Sequence, residues 1–285
     1  MTNNNRFQST PTVTPALAMS EVSTATPPVT ACLIIIGNEI LSGRTRDANL
    51  AFIGRRLNDL GVRLMEARII PDIEATIAET VNETRARFDY VFTSGGIGPT
   101  HDDITAQSVA RAFGVPLIEN PEARALLEAR YGAGDLNEAR LRMARTPAGA
   151  TLIENPISTA PGFRMDNVFV MAGIPEILRA MFESLAHDLR GGTPLLSRSL
   201  TLEMPEGRIA KDLGALQEAY PDVEMGSYPF NRQGRFGTRL VLRCGEPDRL
   251  AAAARDLDDL VARLGGVGAW DATPGDQADA TAPTS

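Results

Sequence analysis

The sequence predicts an α/β fold, a mostly parallel sheet interleaved with helices, followed by a smaller α+β unit. Three observations carry that expectation. Apolar or β-branched runs alternate with helical stripes from residue 31 to residue 113, a β-α-β-α-β-α succession that right-handed crossovers close into a parallel sheet. At three places a short apolar run delivers a glycine straight to a loop or helix start. Beyond residue 196 the order becomes β-α-β-β-α, which suits a small sheet with helices packed on one face.

Residues 1–29 are rich in Thr, Ser, Pro and Asn and read as a disordered tail without the basic and apolar regions of a secretory signal; Met19 offers an alternative start. Residues 31–36, Ala-Cys-Leu-Ile-Ile-Ile, are apolar throughout, as a strand covered on both faces must be. Asp47 can cap a helix carrying Leu50, Ile53, Leu57 and Leu60, which Gly61 ends. Val62–Ile70 is the next strand, and Pro71-Asp72 serves as turn and cap for a helix striped by Ile73, Ile77, Val81, Thr84 and Phe88. Tyr90, Val91 and Phe92 form a third strand that runs into Gly95, and Gly114 stops the helix of residues 106–113. Asn120-Pro121 gives the cap and first position of a helix bearing Leu126, Leu127 and Tyr131. Residues 136–144 are a weaker helical candidate. Asp166-Asn167 joins Gly162–Met165 to Val168–Met171 as a hairpin, and residues 176–189 are strongly helical. The main domain is therefore placed at residues 30–195.

Residues 196–268 form the second unit: a strand at 197–204, a helix marked by Ile209, Leu213 and Leu216, strands at 223–228 and 238–243, and an alanine-rich helix at 250–264. The loop at 231–237 carries Arg232 and Arg235 and reads as a solvated hairpin loop, with phosphate binding as the alternative. Residues 269–285 read as a second disordered tail.

With 285 residues and 43% hydrophobic content, the chain can build one large core or two modest ones. A formal charge of −8 argues against a broad nucleic-acid-binding face. Cys32 and Cys244 are far apart, so neither a disulfide framework nor a cysteine zinc site is indicated; His101 and His187 are too few for a histidine-rich metal centre. No apolar run is long enough to span a bilayer, so a cytoplasmic protein with no membrane partner is expected.

The most informative stretch is Gly95-Gly96-Ile97-Gly98-Pro99-Thr100-His101-Asp102-Asp103-Ile104-Thr105. Its closely spaced glycines let backbone approach a ligand with no Cβ in the way, and the following helix offers unpaired N–H groups and its positive dipole end. Phosphate fits there. Asp102 and Asp103 beside such an anion repel it unless a hard cation such as Mg²⁺ bridges carboxylate and phosphate. The blander reading is that the glycines turn the chain and that Asp103 or Thr105 caps the helix. Two familiar loops are excluded: the third glycine of a dinucleotide fingerprint is replaced by His101, and no Walker A lysine is near. If the strands at 31–36, 90–94 and 168–171 share one sheet, Gly37-Asn38-Glu39, the 95–103 loop and Gly173-Ile174-Pro175-Glu176 converge on one rim, where open α/β sheets bind ligands.

Gly-Gly-Ile-Gly-Pro-Thr-His-Asp-Asp-Ile-Thr resembles the signature of the molybdopterin-binding (MoaB/Mog-like) superfamily, and more closely its competence/damage-inducible protein A branch, shared with the N-terminal domain of eukaryotic FAD synthases. Ile36-Gly37-Asn38-Glu39-Ile40-Leu41-Ser42-Gly43 and Gly173-Ile174-Pro175-Glu176 extend the match. The resemblance implies a three-layer αβα fold and a pterin or nucleotide ligand bearing phosphate or pyrophosphate. In related molybdenum-cofactor enzymes the aspartate at the position of Asp103 is essential to adenylyl transfer, whereas the damage-inducible branch is associated with hydrolysis of ADP-ribose or FAD.

On that basis the expected function is metal-dependent nucleotide pyrophosphatase, with a molybdenum-cofactor adenylyltransferase-like enzyme or a non-catalytic binding module as alternatives. Gly95, Gly96 and Gly98, with Gly37, Pro99, Thr100, Thr105, Gly173, Pro175 and Glu176 around them, are expected at the phosphate, and Asp102 and Asp103 at a divalent metal or an attacking water. Glu39 is expected as a further catalytic carboxylate, and Asn38, Asp47 and Asn49 around the ligand. Many relatives carry aspartate at the place of Asn38, which would remove one metal-ligand charge. Longer relatives continue into an amidase domain, so deamidase activity is expected to be absent. The apolar helices and the resemblance favour a homo-oligomer.

Overall fold

Residues 31–36 carry no polar position and are buried throughout, and β1 (Val29–Ile36) is accordingly an interior strand of the main sheet. The computed structural model describes residues 27–232 and 234–271, without the side chains at 133, 134, 232 and 235. The chain continues through α1 (Asn38–Leu41), α2 (Asn49–Asp59), β2 (Val62–Ile70), α3 (Glu74–Arg85), β3 (Tyr90–Ser94), α4 (Thr105–Phe113), β4 (Leu117–Glu119), α5 (Pro121–Asp135), α6 (Glu138–Leu141), β5 (Arg145–Pro147), β6 (Thr151–Ile153), β7 (Gly162–Met165), β8 (Val168–Met171) and α7 (Pro175–Leu185). The second unit comprises β9 (Leu196–Leu202), α8 (Glu206–Ala219), β10 (Glu224–Arg232), β11 (Arg235–Cys244), α9 (Pro247–Arg263) and β12 (Gly268–Trp270).

The main sheet runs β2-β1-β3-β8-β7-β6. Its first four strands are parallel, and β7 and β6 add an antiparallel edge. Alternate residues of β1 enter different cores. Ala31, Leu33 and Ile35 pack with Ile53 and Leu57 of α2 and Leu178, Met181 and Phe182 of α7. Cys32, Ile34 and Ile36 pack with Ile77 and Val81 of α3 and Val109 of α4. Helices therefore cover both faces, giving the three-layer αβα arrangement. Both cysteines are free and buried, and burial, aided by nearby Glu66, pushes the Cys32 thiol up to about 11.

The second sheet runs β10-β11-β9-β12, antiparallel throughout, and buries Leu200, Leu202, Leu240 and Leu242 against α8 and α9. Among the described residues no helix is long and apolar enough to cross a membrane.

Several expectations change. The disordered tails expected at 1–29 and 269–285 lie outside the description except for 27–29 and 269–271. In that last stretch Ala269 and Trp270 are strand residues of β12, held because the indole N–H donates to Asp258 and Arg198 stacks on the ring. The helix expected at 136–144 is only α6 followed by a 3-10 turn, since Asn137 caps at Arg140 and the chain must extend into β5. Asp72 caps α1 rather than α3: its Oδ2 accepts the Asn38 N–H at 2.8 Å. The side chains of Arg232 and Arg235 lie outside the described residues.

Edge strand β2 is tied to α3 by Arg68, which donates to both carboxylate oxygens of Glu83 at 2.6 and 2.7 Å and also meets Glu66. The Arg68 guanidinium holds the Glu83 carboxyl down to about 2 from an ordinary 4.5. A depressed carboxylate stabilises the fold above its unfolded value and loses that contribution as pH falls through its folded one. Glu83→Gln is thus expected to lower the urea midpoint above pH 4.5, and the gap to wild type should close as pH falls towards 2. A gap that does not change with pH would dismiss the pair.

Candidate functional site

The C-terminal ends of β1, β3 and β8 approach so closely that side chains are excluded between them. Gly95, with φ 110°, lies where a Cβ would stand 2.3 Å from the Ile36 carbonyl oxygen. Gly96, with φ 70°, would place a Cβ 2.2 Å from Thr105 Oγ1. L-residues rarely adopt either backbone, so the packing of the loop itself requires both glycines. The Thr105 hydroxyl donates to Gly95 O at 2.9 Å and its N–H to Gly96 O at 3.0 Å. Thr105 is buried and stitches α4 to the loop, and α4 begins without a side-chain cap.

Asp103 closes the next turn. Its Oδ2 accepts the Thr100 N–H at 2.8 Å and the Thr100 hydroxyl. Asp102 is exposed, and its carboxyl is held below the ordinary range by the Thr100 hydroxyl first, then its own backbone N–H, with smaller pulls from His101 and Arg142. Thr100 has one hydroxyl proton for two carboxylate neighbours, and the directed bond goes to Asp103. His101 is almost fully exposed at the rim, 4.0 Å from Asp102.

These loops open onto a cleft of about 620 Å³ lined by Glu39, Asp72, Gly95, Gly96, Gly98, Pro99, Asp102, Asp103, Gly173 and Pro175. Four carboxylates thus share one cleft. Acceptor-only oxygens of this kind suit a hard cation, yet among the described residues no three His, Cys, Asp or Glu side chains lie close enough to hold a metal alone.

Other expected residues stand behind the lining. Gly37 is extended and donates to Ile70 O at 3.1 Å, and Asn38 is exposed at the start of α1. Asp47 caps α2, accepting from Asn49 N at 3.3 Å and Leu50 N at 3.0 Å. Asn49 is buried and its Nδ2 donates to Ser94 Oγ and Gly173 O, both at 2.8 Å, bracing two of the three loops; its Oδ1 is buried without a partner. Thr100 serves Asp103, and Glu176 is exposed in the first turn of α7. None of these six is in the lining.

The sequence reading missed a second wall, made by Tyr131, Arg140, Met143, Asn155 and Ser158. Asn155 Oδ1 accepts from Ile157 N at 3.1 Å and Ser158 N at 3.2 Å, an Asx turn that Asn155-Pro156 could have signalled. Arg140 sat in a weak helical stretch with no motif around it.

Comparison with known proteins identifies the architecture. Residues 32–191 match the model of the probable molybdopterin binding domain, and residues 194–264 match the middle domain of FAD synthase. The chain belongs to the CinA-like molybdopterin-binding domain family. It is 30% identical over 241 residues to a Thermoplasma acidophilum protein, covering 82% of this chain and 94% of that one. A probable FAD synthase of Caenorhabditis elegans is 30% identical over 259 residues, covering 82% of this chain and 50% of that enzyme. Among solved structures, the protein CinA from Thermoplasma acidophilum superposes with a TM-score of 0.54 at 34% identity, over 56% of this chain and 98% of that one. The family's domain ends where the main sheet's last helix gives way to β9, so the cleft lies wholly within it.

Gly95→Ala is expected to cost about 2 kcal/mol or more, because a positive φ and a backbone clash act together. Denaturant unfolding measures this; wild-type stability in the variant would show that the loops are not packed as described.

Proposed function

We propose that this protein is a metal-dependent pyrophosphatase acting on dinucleotide pyrophosphates of the ADP-ribose or FAD type. The observation that supports it is that Glu39, Asp72, Asp102, Asp103 and Arg140 line one cleft together with three glycines of a single loop. A cleft of about 620 Å³ matches the size of nucleotide-binding pockets.

The loop of Gly95, Gly96 and Gly98 lines the cleft and receives one phosphate of the pyrophosphate. Asp102 and Asp103 would hold the divalent cation together with phosphate oxygens, which supplies the donors the protein lacks on its own. When bound, such a cation offsets phosphate charge and acidifies a coordinated water. Thr100 fixes Asp103 through Oδ2 and so sets the direction of Oδ1. Glu39 accepts the proton of the water whose oxygen forms the new bond to phosphorus, as the bridging P–O bond breaks and AMP departs. Asn49 acts indirectly by holding the ends of β3 and β8 together.

A second reading is a binding module without turnover, favoured by Asn38 in place of a carboxylate and by the lack, among the described residues, of a three-ligand metal group. Release of AMP from ADP-ribose and from FAD, measured across Mg²⁺, Mn²⁺ and Co²⁺, separates the two. Metal-dependent release that drops about 100-fold or more in folded Asp103→Asn is expected. Undiminished release in that variant sinks the site assignment. Tight nucleotide binding without release supports the module, and AMP transfer only to a pterin acceptor supports the adenylyltransferase alternative.

A further inference from the structure

The second wall of the cleft contains a guanidinium, that of Arg140, with no ion-pair partner among the described residues. Arg140 stands 4.3 Å from the Tyr131 ring centroid and donates to the Asp135 backbone carbonyl. Among the described residues no carboxylate lies within ion-pair distance of it, whereas Arg56, Arg68, Arg124 and Arg249 each hold one. Its position is built rather than incidental. Gly132 breaks α5 with φ 73° and ψ 170°, a backbone essentially restricted to glycine, and the chain turns so that α6 brings Arg140 back over Tyr131. Asn137 then fixes the start of α6 by accepting the Arg140 N–H at 3.0 Å.

A planar guanidinium lying over an aromatic ring turns its edge donors away from the ring, and those of Arg140 other than the Nη1 bonded to Asp135 O remain for phosphate oxygens. The glycine loop and Arg140 line the same cleft from different segments of the chain, so a ligand with two linked phosphates can engage both. We propose that Arg140 is the second anion anchor of the cleft. It holds the further phosphate of a P–O–P ligand and so selects diphosphate-bridged nucleotides over nucleoside monophosphates. The inference rests on reading the cleft as a nucleotide pyrophosphate site. Tyr131 is a positioning residue that acts through Arg140.

Calorimetric titration with AMP and with α,β-methylene-ADP in Mg²⁺ tests this, since the P–C–P bridge resists hydrolysis. Wild type should prefer the methylene diphosphate by about tenfold or more. Arg140→Gln should weaken that ligand on the order of 10- to 100-fold and change AMP by less than about threefold, so the preference disappears. Arg140→Lys should restore part of it; Tyr131→Phe, which keeps the ring, should retain it, and Tyr131→Ala should lose several-fold. An Arg140→Gln variant with the wild-type preference, or one that loses both ligands equally, overturns the anchor. Wild type that binds neither nucleotide overturns it together with the pyrophosphate site. Wild type that shows the preference but releases no AMP from ADP-ribose keeps the anchor while the hydrolase reading falls.

Discussion

The carbonyl oxygen of Ile36 occupies the space in which a side chain on Gly95 would begin, and the cleft depends on that contact. It lets the ends of β1 and β3 close up, and Gly173 then meets Gly95 from the end of β8. Asn49 spans the same junction through Ser94 and Gly173. Site and core are therefore one structure: the residues that shape the rim are anchored to strands buried on both faces.

Electrostatics gives the cleft its chemical character. Glu39, Asp72, Asp102 and Asp103 make one wall acceptor-rich, and the depressed Asp102 carboxyl is ionised at neutral pH. Two of these carboxylates also have structural duties. Asp72 caps α1 through Asn38, and Asp103 closes the turn at Thr100. A carboxylate held by backbone donors on one oxygen is preorganised on the other, which is how a loop can present charge without the entropy of an unconstrained side chain.

The second sheet does not enter the cleft, whose lining falls between residues 36 and 181. It meets the main domain behind, where Asn58 Nδ2 donates to Leu195 O at 3.1 Å and Arg63 lies 3.9 Å from Glu224. Exposed contacts of this strength contribute little stability, so each unit rests chiefly on its own core.

By itself the sequence determined the order of the longer strands and helices, the buried strand at residues 31–36, the caps at Asp47 and Asn120, and the glycine loop with its two aspartates, but not the short α1, β4, β5 and β6. These are local signals: an unbroken apolar run, a side chain one turn from a helix start, glycine where no Cβ fits. The family resemblance was likewise legible in contiguous residues. What only the tertiary structure decided is which residues meet. Asp72 looked like a cap for its own helix, Asn49 like a ligand-facing amide, and Arg140 like any charged residue in a weak helix; short β12 was hidden in a polar tail. Each of those outcomes is set by partners distant in sequence, whose approach depends on sheet order and on the break at Gly132, and periodicity along the chain does not encode such distances.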